Sequence, residues 1–313
     1  MKVLVTGGAG FIGSHVVDSL AARGDEVLVV DDLSGGDRGN LNPAARYFEL
    51  DIRDPATADL IRTEKPDAVS HHAAQMSVSR SVAEPQHDAD VNILGSLNVA
   101  RAAADVGTRI VFASTGGALY GDAGVLPTPE TAPAWPVSPY GISKLSFEHY
   151  LFGFRAQYGL SYTALRYGNV YGPRQNPHGE AGVVAIFCEG LLGKREIRIN
   201  GTGTDTRDYV FVDDVVRANL LALDSEACDH FNVGTGRQAD TNTIFRLIAD
   251  ALGKPPVVEH GPPRAGDLRA SALDSALIGR TLGWRPEVSL EEGIAQTARW
   301  FAAQERSQAG TNR

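Results

Sequence analysis

A tyrosine and a lysine four residues apart are the side chains of this sequence best suited to proton transfer. Tyr140 and Lys144 follow Ser138 and Pro139, which are typical of the N-cap and first turn of a helix. Residues i and i+4 share a helix face, so the ammonium would approach the phenol. A nearby positive charge favours the phenolate, and a tyrosine of ordinary pKa, about 10, needs that help to act as a base near neutral pH. By itself, the spacing is equally typical of two surface neighbours on an amphipathic helix.

A glycine-rich turn near the N-terminus gives this pair a chemical context. The apolar run 3–5 predicts a strand buried on both faces, and Gly7, Gly10 and Gly13 follow it at three-residue spacing. A helical pattern of apolar residues comes next. Strand, glycine turn and helix together allow the backbone to approach a pyrophosphate, which the N–H groups of the helix start then bind. The sequence therefore predicts a dinucleotide site.

An acidic pair points to the kind of dinucleotide. Asp31 and Asp32 end the second predicted strand, 26–31. A carboxylate at this position accepts hydrogen bonds from an adenosine ribose and repels a 2′-phosphate, so NAD is favoured over NADP. Arg38 lies nearby in the sequence and leaves NADP open.

Two hydroxyl side chains, Ser114 and Thr115, follow the fifth predicted strand, 108–113. At that strand end they would lie beside the nicotinamide of a bound dinucleotide. Serine and threonine at a strand end also commonly cap turns. Their position upstream of Tyr140 makes one of them a candidate catalytic hydroxyl.

Strands and helices alternate through the first half of the chain. Further strands are predicted at 46–52, 68–72 and 160–166, and prominent helices at 92–106 and 140–158. This alternation predicts an α/β fold, a doubly wound parallel sheet of the Rossmann type with ligands at the carboxyl ends of its strands. We predict an NAD-binding domain at 1–170 with a return strand near 230–234, a smaller mixed α/β substrate-binding lobe at 171–303, and a frayed polar tail at 304–313.

Composition restricts the classes of function. The 313 residues are 43% hydrophobic and 21% charged, which is typical of a globular protein of enzyme size. A net charge of −9 argues against non-specific binding of nucleic acid or anionic membranes. Cys188 and Cys228 lack metal-type spacing and suit a reducing compartment. With no leader or long apolar span in the sequence, we expect a cytoplasmic protein without a metal centre.

The ordered set of motifs resembles the extended short-chain dehydrogenase/reductases, and among them is most similar to the UDP-glucose (UDP-galactose) 4-epimerases. The resemblance covers nearly the whole chain. It rests on Thr6–Gly13, Asp51-Ile52, Ser114-Thr115, Tyr140-x-x-x-Lys144, Arg166–Pro173, Arg207-Asp-Tyr209, Asn232-Val-Gly234 and Arg264-x-Gly-Asp267.

The resemblance implies a role for each matching position. Cofactor contacts are implied for Gly7, Gly10, Phe11, Ile12 and Gly13 at the pyrophosphate, Asp31 and Asp32 at the adenine ribose, Asp51 and Ile52 at the adenine, and Ala73, Ala74 and Asn92 along the cofactor. Tyr140 would be the base and Lys144 would hold the nicotinamide ribose. Substrate contacts are implied for Asn169, Arg207, Arg264 and Asp267, with the two arginines on the diphosphate.

The implied reaction is the inversion of C4 of a UDP-hexose by an NAD-dependent isomerase. Tyr140, assisted by Thr115, would take the proton of the 4-hydroxyl while the C4 hydride passes to NAD, and the 4-keto sugar would turn before both are returned. The family also commonly dimerises through the helices near 92–106 and 140–158. The second helix carries apolar residues around much of its circumference, so we expect a homodimer.

Three departures from the family pattern bear on function. The segment from Ser114 to Tyr120 is one residue longer than usual, so Thr115 is our first candidate for the catalytic hydroxyl and Ser114 the second. Met76 replaces a lysine that often contacts the cofactor. Ser271 stands where some relatives place a bulky aromatic against the C2 substituent of the sugar, so UDP-GlcNAc and UDP-GalNAc are further candidate substrates.

Other functions share this scaffold. Sugar-nucleotide 4,6-dehydratases place an Asp-Glu pair, and UDP-glucuronate decarboxylases often a glutamate, where this chain has Gly116-Gly117. A glucuronate 4-epimerase stays open. A non-catalytic NAD-binding regulator would typically have lost Tyr140 or Lys144, and both are present.

Overall fold

The computed structural model describes residues 1–177, 182–193, 196–262 and 268–311. Its strands are β1 (Lys2–Thr6), β2 (Glu26–Val30), β3 (Arg46–Phe48), β4 (Ala68–His71), β5 (Arg109–Thr115), β6 (Tyr162–Tyr167), β7 (Asn169–Tyr171), β8 (Arg198–Asn200), β9 (Thr206–Arg207), β10 (Tyr209–Phe211), β11 (His230–Val233), β12 (Ala239–Asp240) and β13 (Glu259–Gly261). Its α-helices are α1 (Phe11–Arg23), α2 (Pro55–Glu64), α3 (Val78–Ala83), α4 (Pro85–Ala89), α5 (Ser96–Val106), α6 (Gly116–Leu119), α7 (Pro139–Tyr158), α8 (Val183–Leu191), α9 (Val212–Leu223), α10 (Thr241–Leu252), α11 (Ala276–Leu282) and α12 (Leu290–Thr311).

Seven strands form one parallel sheet in the order β11-β6-β5-β4-β1-β2-β3. The strand order reverses between β1 and β4, which pair directly, with Val3 opposite Ala68. The loops after these two strands diverge to opposite faces and leave a crevice at the carboxyl edge of the sheet. The predicted doubly wound α/β class is confirmed.

The apolar run of β1 supplies both cores of the sheet. Val3, Leu4 and Val5 are fully buried. Val3 and Val5 belong to a core that includes residues of α1 and α9, whereas Leu4 belongs to one that includes residues of α2, α5 and α7. Side chains alternate across a strand, so this central strand needs apolar residues at every position. Each contributes about 1.5–3 kcal/mol by burial.

Helix α7, which carries the tyrosine–lysine pair, has clear boundaries. The Ser138 side chain accepts a hydrogen bond from the Gly141 N–H at 3.2 Å, and Pro139 occupies the first turn. The helix ends at Gly159, whose φ of 72° allows a left-handed C-cap. The start predicted from Ser138 and Pro139 is therefore confirmed.

The helix predicted at 92–106 differs from expectation at its beginning. Residues Asp90–Gly95 form a π-helical segment, and α5 follows from Ser96. A Cβ at Gly95 would lie 2.9 Å from the Ile52 side chain, so this wide turn packs closely against the chain after β3. A π segment inserts an extra residue and re-aims side chains, which here affects Asn92.

The remaining strands form three small sheets, which pair β7 with β10, β9 with β12 and β8 with β13. β11 lies beside β6 in the main sheet, with Phe231 opposite Leu165. Helix α12 extends to Thr311, into the segment expected to fray. The division into two domains stays a prediction. Among the described helices, none combines the length and apolar character that crossing a membrane requires.

Candidate active site

The glycine turn after β1 leaves no space for side chains at two positions. Gly7 has a φ of +69°, and a Cβ there would lie 2.6 Å from the backbone nitrogen of Ala73. A Cβ at Gly13 would overlap the carbonyl oxygen of Gly7. Helix α1 begins after Gly10, so within the described chain no side chain caps its first N–H groups. This turn fits a dinucleotide pyrophosphate, which residues 7–13 would hold.

Asp31 follows β2 and connects it to the glycine turn. Its carboxylate accepts hydrogen bonds from the backbone N–H groups of Ala9, at 2.9 Å, and Leu33, at 2.8 Å. Burial raises the pKa of Asp31. Each carboxylate oxygen retains a second lone pair, so the geometry is compatible with the predicted ribose contact. The contact to Ala9 is a second, structural role that the sequence did not indicate.

The two other acidic residues predicted to contact the cofactor, Asp32 and Asp51, have different environments. Asp32 is exposed. Arg38, the residue that left NADP open, is ion-paired with Glu49. Asp51 is ion-paired with Arg53 at 2.5 Å. The arginine nearest Asp31 in sequence is thus engaged with a carboxylate.

The apolar positions expected along the cofactor lie after β3 and β4 of the main sheet. Ile52 is buried and packs against Gly95. Ala73 and Ala74 follow β4, and the Ala73 backbone adjoins Gly7. The predicted contacts to the adenine and along the cofactor therefore share one edge of the sheet.

The hydroxyls of Thr115 and Tyr140 meet at the end of β5. The Thr115 hydroxyl lies close enough to lower the pKa of Tyr140, and it accepts a hydrogen bond from the Ala118 N–H at 3.3 Å. Lys144 lies one turn further along α7, with its Nζ 5.9 Å from the centre of the Tyr140 ring. The structure therefore brings together the three side chains that we predicted to act in proton transfer.

The pKa of Tyr140 differs from the expectation. Burial raises it to about 12, and the nearby Thr115 hydroxyl offsets part of that rise. Burial also lowers the pKa of Lys144 to about 8, and its ammonium donates to the Ala113 carbonyl oxygen at 2.9 Å. Lys144 was predicted to lower the pKa of Tyr140. That lowering is not found among the described residues, because the loss of water around the phenol outweighs the effect of a charge at this distance.

Ser114, the second candidate hydroxyl, is directed elsewhere. It is 3% exposed, and its hydroxyl donates to the Glu148 carboxylate. Adjacent residues of a strand point to opposite faces, so Ser114 and Thr115 cannot both reach Tyr140. This placement favours Thr115 over Ser114, and the assignment of the catalytic hydroxyl stays a prediction.

Glu148 belongs to a buried polar network that sequence reasoning missed. It is ion-paired with Arg166 of β6 at 2.6 Å, and both side chains are less than 8% exposed. Arg166 also donates to the Tyr120 hydroxyl, which in turn donates to Asn232 of β11. The network thus joins α7, β6, the end of α6 and β11. Its one sequence signal was that Glu148 is four residues beyond Lys144, on the same helix face.

Asn92 uses its amide within the protein. Its oxygen accepts from the Gln75 N–H at 2.9 Å, and its nitrogen donates to the carbonyl oxygen of Gln75 and to Asp88. The same nitrogen lies 3.3 Å from the Ser143 hydroxyl of α7. The contact predicted between Asn92 and the cofactor stays a prediction.

Three predicted substrate contacts, Asn169, Arg207 and Ser271, lie in segments that follow β6 in the chain. Asn169 opens β7, and its side-chain oxygen would lie 3.4 Å from a Cβ at Gly117. Arg207 and Ser271 meet at Thr206, whose carbonyl oxygen accepts from the guanidinium at 2.9 Å and from the Ser271 N–H at 3.1 Å. The structure therefore places Arg207 and Ser271 next to each other.

A buried carboxylate next to Arg207 organises this region. Asp208 is fully buried and accepts hydrogen bonds from the backbone N–H groups of Thr235, Gly236 and Leu273. Burial raises its pKa. The sequence placed Asp208 inside a motif without a role, and the structure shows that it anchors the two segments around the substrate contacts.

Two further predicted substrate contacts, Arg264 and Asp267, lie outside the described residues. Met76, at the position where relatives often carry a lysine, is 48% exposed. The roles of Arg264 and Asp267 stay predictions.

Comparison with known proteins supports one family. A model of the NAD dependent epimerase/dehydratase family matches residues 3–234. A UDP-glucose 4-epimerase of Mycolicibacterium smegmatis is 47% identical over 308 residues, covering 96% of this chain and 98% of the relative.

Solved structures of epimerases also resemble this chain. A UDP-glucose 4-epimerase of Thermotoga maritima, crystallised with UDP-glucose, superposes with a TM-score of 0.95 at 50% identity and covers 97% of this chain and 100% of its own. A Thermus thermophilus UDP-glucose 4-epimerase in complex with NAD superposes with a TM-score of 0.92 at 48% identity, covering 96% of this chain and 99% of its own.

The buried pair of Glu148 and Arg166 gives a prediction about stability. Glu148→Ala leaves a guanidinium buried without its carboxylate, so we expect the free energy of unfolding to fall by about 3–5 kcal/mol. Asp59→Ala, which removes an exposed partner of Arg62, is the control and should change it by less than about 0.5 kcal/mol. Chemical denaturation measures both. Equal effects of the two substitutions would contradict a central role for the buried pair.

Proposed function

Because the chain belongs to the NAD dependent epimerase/dehydratase family, we propose that it is an isomerase that inverts C4 of a UDP-hexose, interconverting UDP-glucose and UDP-galactose with NAD as its cofactor. The observation that carries this proposal is the placement of the Thr115 hydroxyl, at the end of β5, beside Tyr140, which lies one helical turn from Lys144. It lies at the same sheet edge as the glycine turn, where a dinucleotide would meet a sugar.

Tyr140 is the proposed base. Its phenolate would take the proton of the sugar 4-hydroxyl while Thr115 holds that hydroxyl in line. When bound, NAD supplies the hydride acceptor and, in its oxidised form, a positive charge that favours the phenolate. Lys144 adds a second positive charge, because a pKa of about 8 leaves it mostly protonated at pH 7.

The chain must hold the nucleotide while the sugar turns. Arg207 and Arg264 are the proposed diphosphate contacts, since a planar guanidinium pairs with phosphate oxygens in two places at once. Tyr140 then returns its proton to the oxygen of the 4-keto sugar presented from the other face. The overall reaction releases no proton, which suits a base enclosed by protein.

A dehydratase function is disfavoured by the space after β5. A Cβ at Gly116 would lie 2.5 Å from the Leu273 side chain, so an aspartate there would have to displace that side chain. Gly117 likewise provides no acid. The side chains that would remove water from the sugar are therefore missing from this position.

Interconversion of UDP-glucose and UDP-galactose without added NAD tests the function, with product identity followed by chromatography. Tyr140→Phe should reduce kcat by about 10²–10⁴-fold, because the substrate loses its base. Thr115→Val should also lower kcat strongly, whereas Ser114→Ala, which changes the neighbouring hydroxyl, should lower it less. Near-normal turnover by Tyr140→Phe would contradict the mechanism, and a dehydrated or decarboxylated product would overturn the proposed reaction.

Ser271 provides a prediction about the sugar. Its backbone N–H and the Arg207 guanidinium donate to the same carbonyl oxygen, that of Thr206, which supports a position near the sugar. We propose that the small side chain of Ser271 leaves room for an N-acetyl group, so the protein should also turn over UDP-GalNAc. Ser271→Tyr should abolish that activity and keep most turnover of UDP-galactose, measured on one preparation. Turnover of UDP-galactose by the unchanged protein without any turnover of saturating UDP-GalNAc would sink this prediction.

We also propose a homodimer, through α7 and its neighbours. Outward-facing residues of these elements are unusually apolar: Phe152 is 65% exposed, Tyr158 55% and Leu94 59%. We propose that a second copy covers these exposed apolar side chains.

Sedimentation velocity tests the dimer. Phe152→Glu should shift the protein to monomers, because a charge would be desolvated in the interface. Val257→Glu, at an 80% exposed residue outside this surface, should leave the dimer intact. A monomeric unchanged protein, or a dimeric Phe152→Glu, would count against the proposal.

We propose a cytoplasmic location. Both cysteines are free thiols, as expected in a reducing compartment. The net charge of −9 is also compatible with a protein that does not bind anionic membranes or nucleic acid.

A further inference from the structure

A buried carboxylate lies beside the catalytic pair and has no place in the mechanism above. Asp88 of α4 is 1% exposed. Its Oδ1 accepts hydrogen bonds from the side-chain nitrogens of Gln75, at 2.8 Å, and Asn92, at 3.0 Å. Its Oδ2 has no hydrogen-bond partner among the described residues. Burying a carboxylate with half of its acceptors unused is costly, which indicates that its charge serves a purpose.

A chain of hydrogen bonds connects Asp88 to the helix that carries Tyr140. Asn92, held by Asp88, donates to the Ser143 hydroxyl at 3.3 Å. That hydroxyl donates to the backbone carbonyl oxygen of Tyr140 at 2.9 Å. Ser143 lies between Tyr140 and Lys144 in the sequence. Asp88 is therefore fixed in position relative to both members of the pair.

The charge of Asp88 acts on both. It favours the ammonium of Lys144, so it raises the pKa of that group against the effect of burial. It disfavours the phenolate of Tyr140, so it raises that pKa as well. The charge of Asp88 thus raises the pKa values of both Tyr140 and Lys144.

Two histidines near this site are neutral. Burial lowers the pKa values of His71 and His72 on β4 to about 3, so both are uncharged near neutral pH. Three carboxylates around α4 and on α7 are ion-paired: Glu148 with Arg166, Glu84 with Arg80 of α3 and Asp90 with Arg53. His87 is the other titratable side chain of α4.

We propose that Asp88 is a positioning residue that holds Asn92 against helix α7 and supplies the buried negative charge that balances Lys144, thereby setting the pH range in which the Tyr140–Lys144 pair works. This inference rests on the proposed roles of Tyr140 and Lys144. It adds to them a third group, which acts through Asn92 and helix α7.

The direction of the expected pH effect follows from the signs of the charges on Asp88, Tyr140 and Lys144. In the holoenzyme the positive charge of NAD would lower the pKa of Tyr140, so that the acid limb of the activity profile reports loss of the Tyr140 proton and the alkaline limb reports loss of the Lys144 proton. Asp88→Asn removes the charge but keeps an oxygen acceptor for Gln75 and Asn92. Both pKa values should then fall, and both limbs should move to lower pH by roughly one unit.

Profiles of kcat against pH for UDP-galactose test this shift. Asp90→Asn, which removes the same charge from the adjoining π-helical segment, is the control and should leave both limbs in place. Asp88→Glu keeps the charge and should keep both limbs even if its maximal rate falls. If Asp88→Asn does not fold, Asp88→Ser, which also lacks the charge and retains an acceptor, repeats the test. A lower maximum with unmoved limbs in the uncharged variants would overturn the proposal.

A second measurement does not depend on activity. The chain has five lysines, so the ¹³Cε resonance of Lys144 can be assigned by comparison with Lys144→Met. Its titration midpoint should lie near 8 in the unchanged protein and roughly one unit lower in Asp88→Asn. An unmoved midpoint refutes the role of Asp88. Absence of epimerase activity in the unchanged protein would instead refute the proposed function, and this titration would still test Asp88.

Discussion

Helix α7 is fixed to the sheet by the buried ion pair of Glu148 and Arg166, and the geometry of the site depends on that attachment. One helix face presents Tyr140, Lys144 and Glu148 in successive turns. Glu148 binds β6 through Arg166 and binds the end of β5 through Ser114. The depth at which Tyr140 meets the strand end is therefore set by a contact two turns away. Since both charges are almost completely enclosed, the pair fixes one arrangement more than it adds stability.

Desolvation dominates the chemistry of the pair. The described groups raise the pKa of Tyr140 to about 12 and lower that of Lys144 to about 8, because both side chains have exchanged water for protein. An enclosed base is useful in a reaction that returns the proton it takes. The same enclosure makes every nearby fixed charge effective, including that of Asp88, because little water remains to screen it.

Much of the fold and part of the site could be predicted from sequence. Hydrophobic periodicity and composition identify buried strands such as β1, and the order of strand, glycine turn and helix is typical of a dinucleotide site. The choice between Ser114 and Thr115 could not be made, because an extra residue after β5 leaves the register of the strand end open, and a single step reverses which face a side chain lies on. The pairing of Glu148 with Arg166 joins separate elements and leaves no local pattern. The raised pKa of Tyr140 arises from its burial in the folded protein, which the spacing of Tyr140 and Lys144 does not reveal.

The close contact of Gly116 with Leu273 has a consequence for how this scaffold could change its chemistry. Leu273 comes from a segment more than 150 residues later, whose backbone N–H is held by Asp208. An acidic side chain after β5 would therefore have to displace the end of the Leu273 side chain. A smaller residue at 273 would provide that space. The chemistry available after β5 is thus coupled to the packing of a segment that is distant in the sequence.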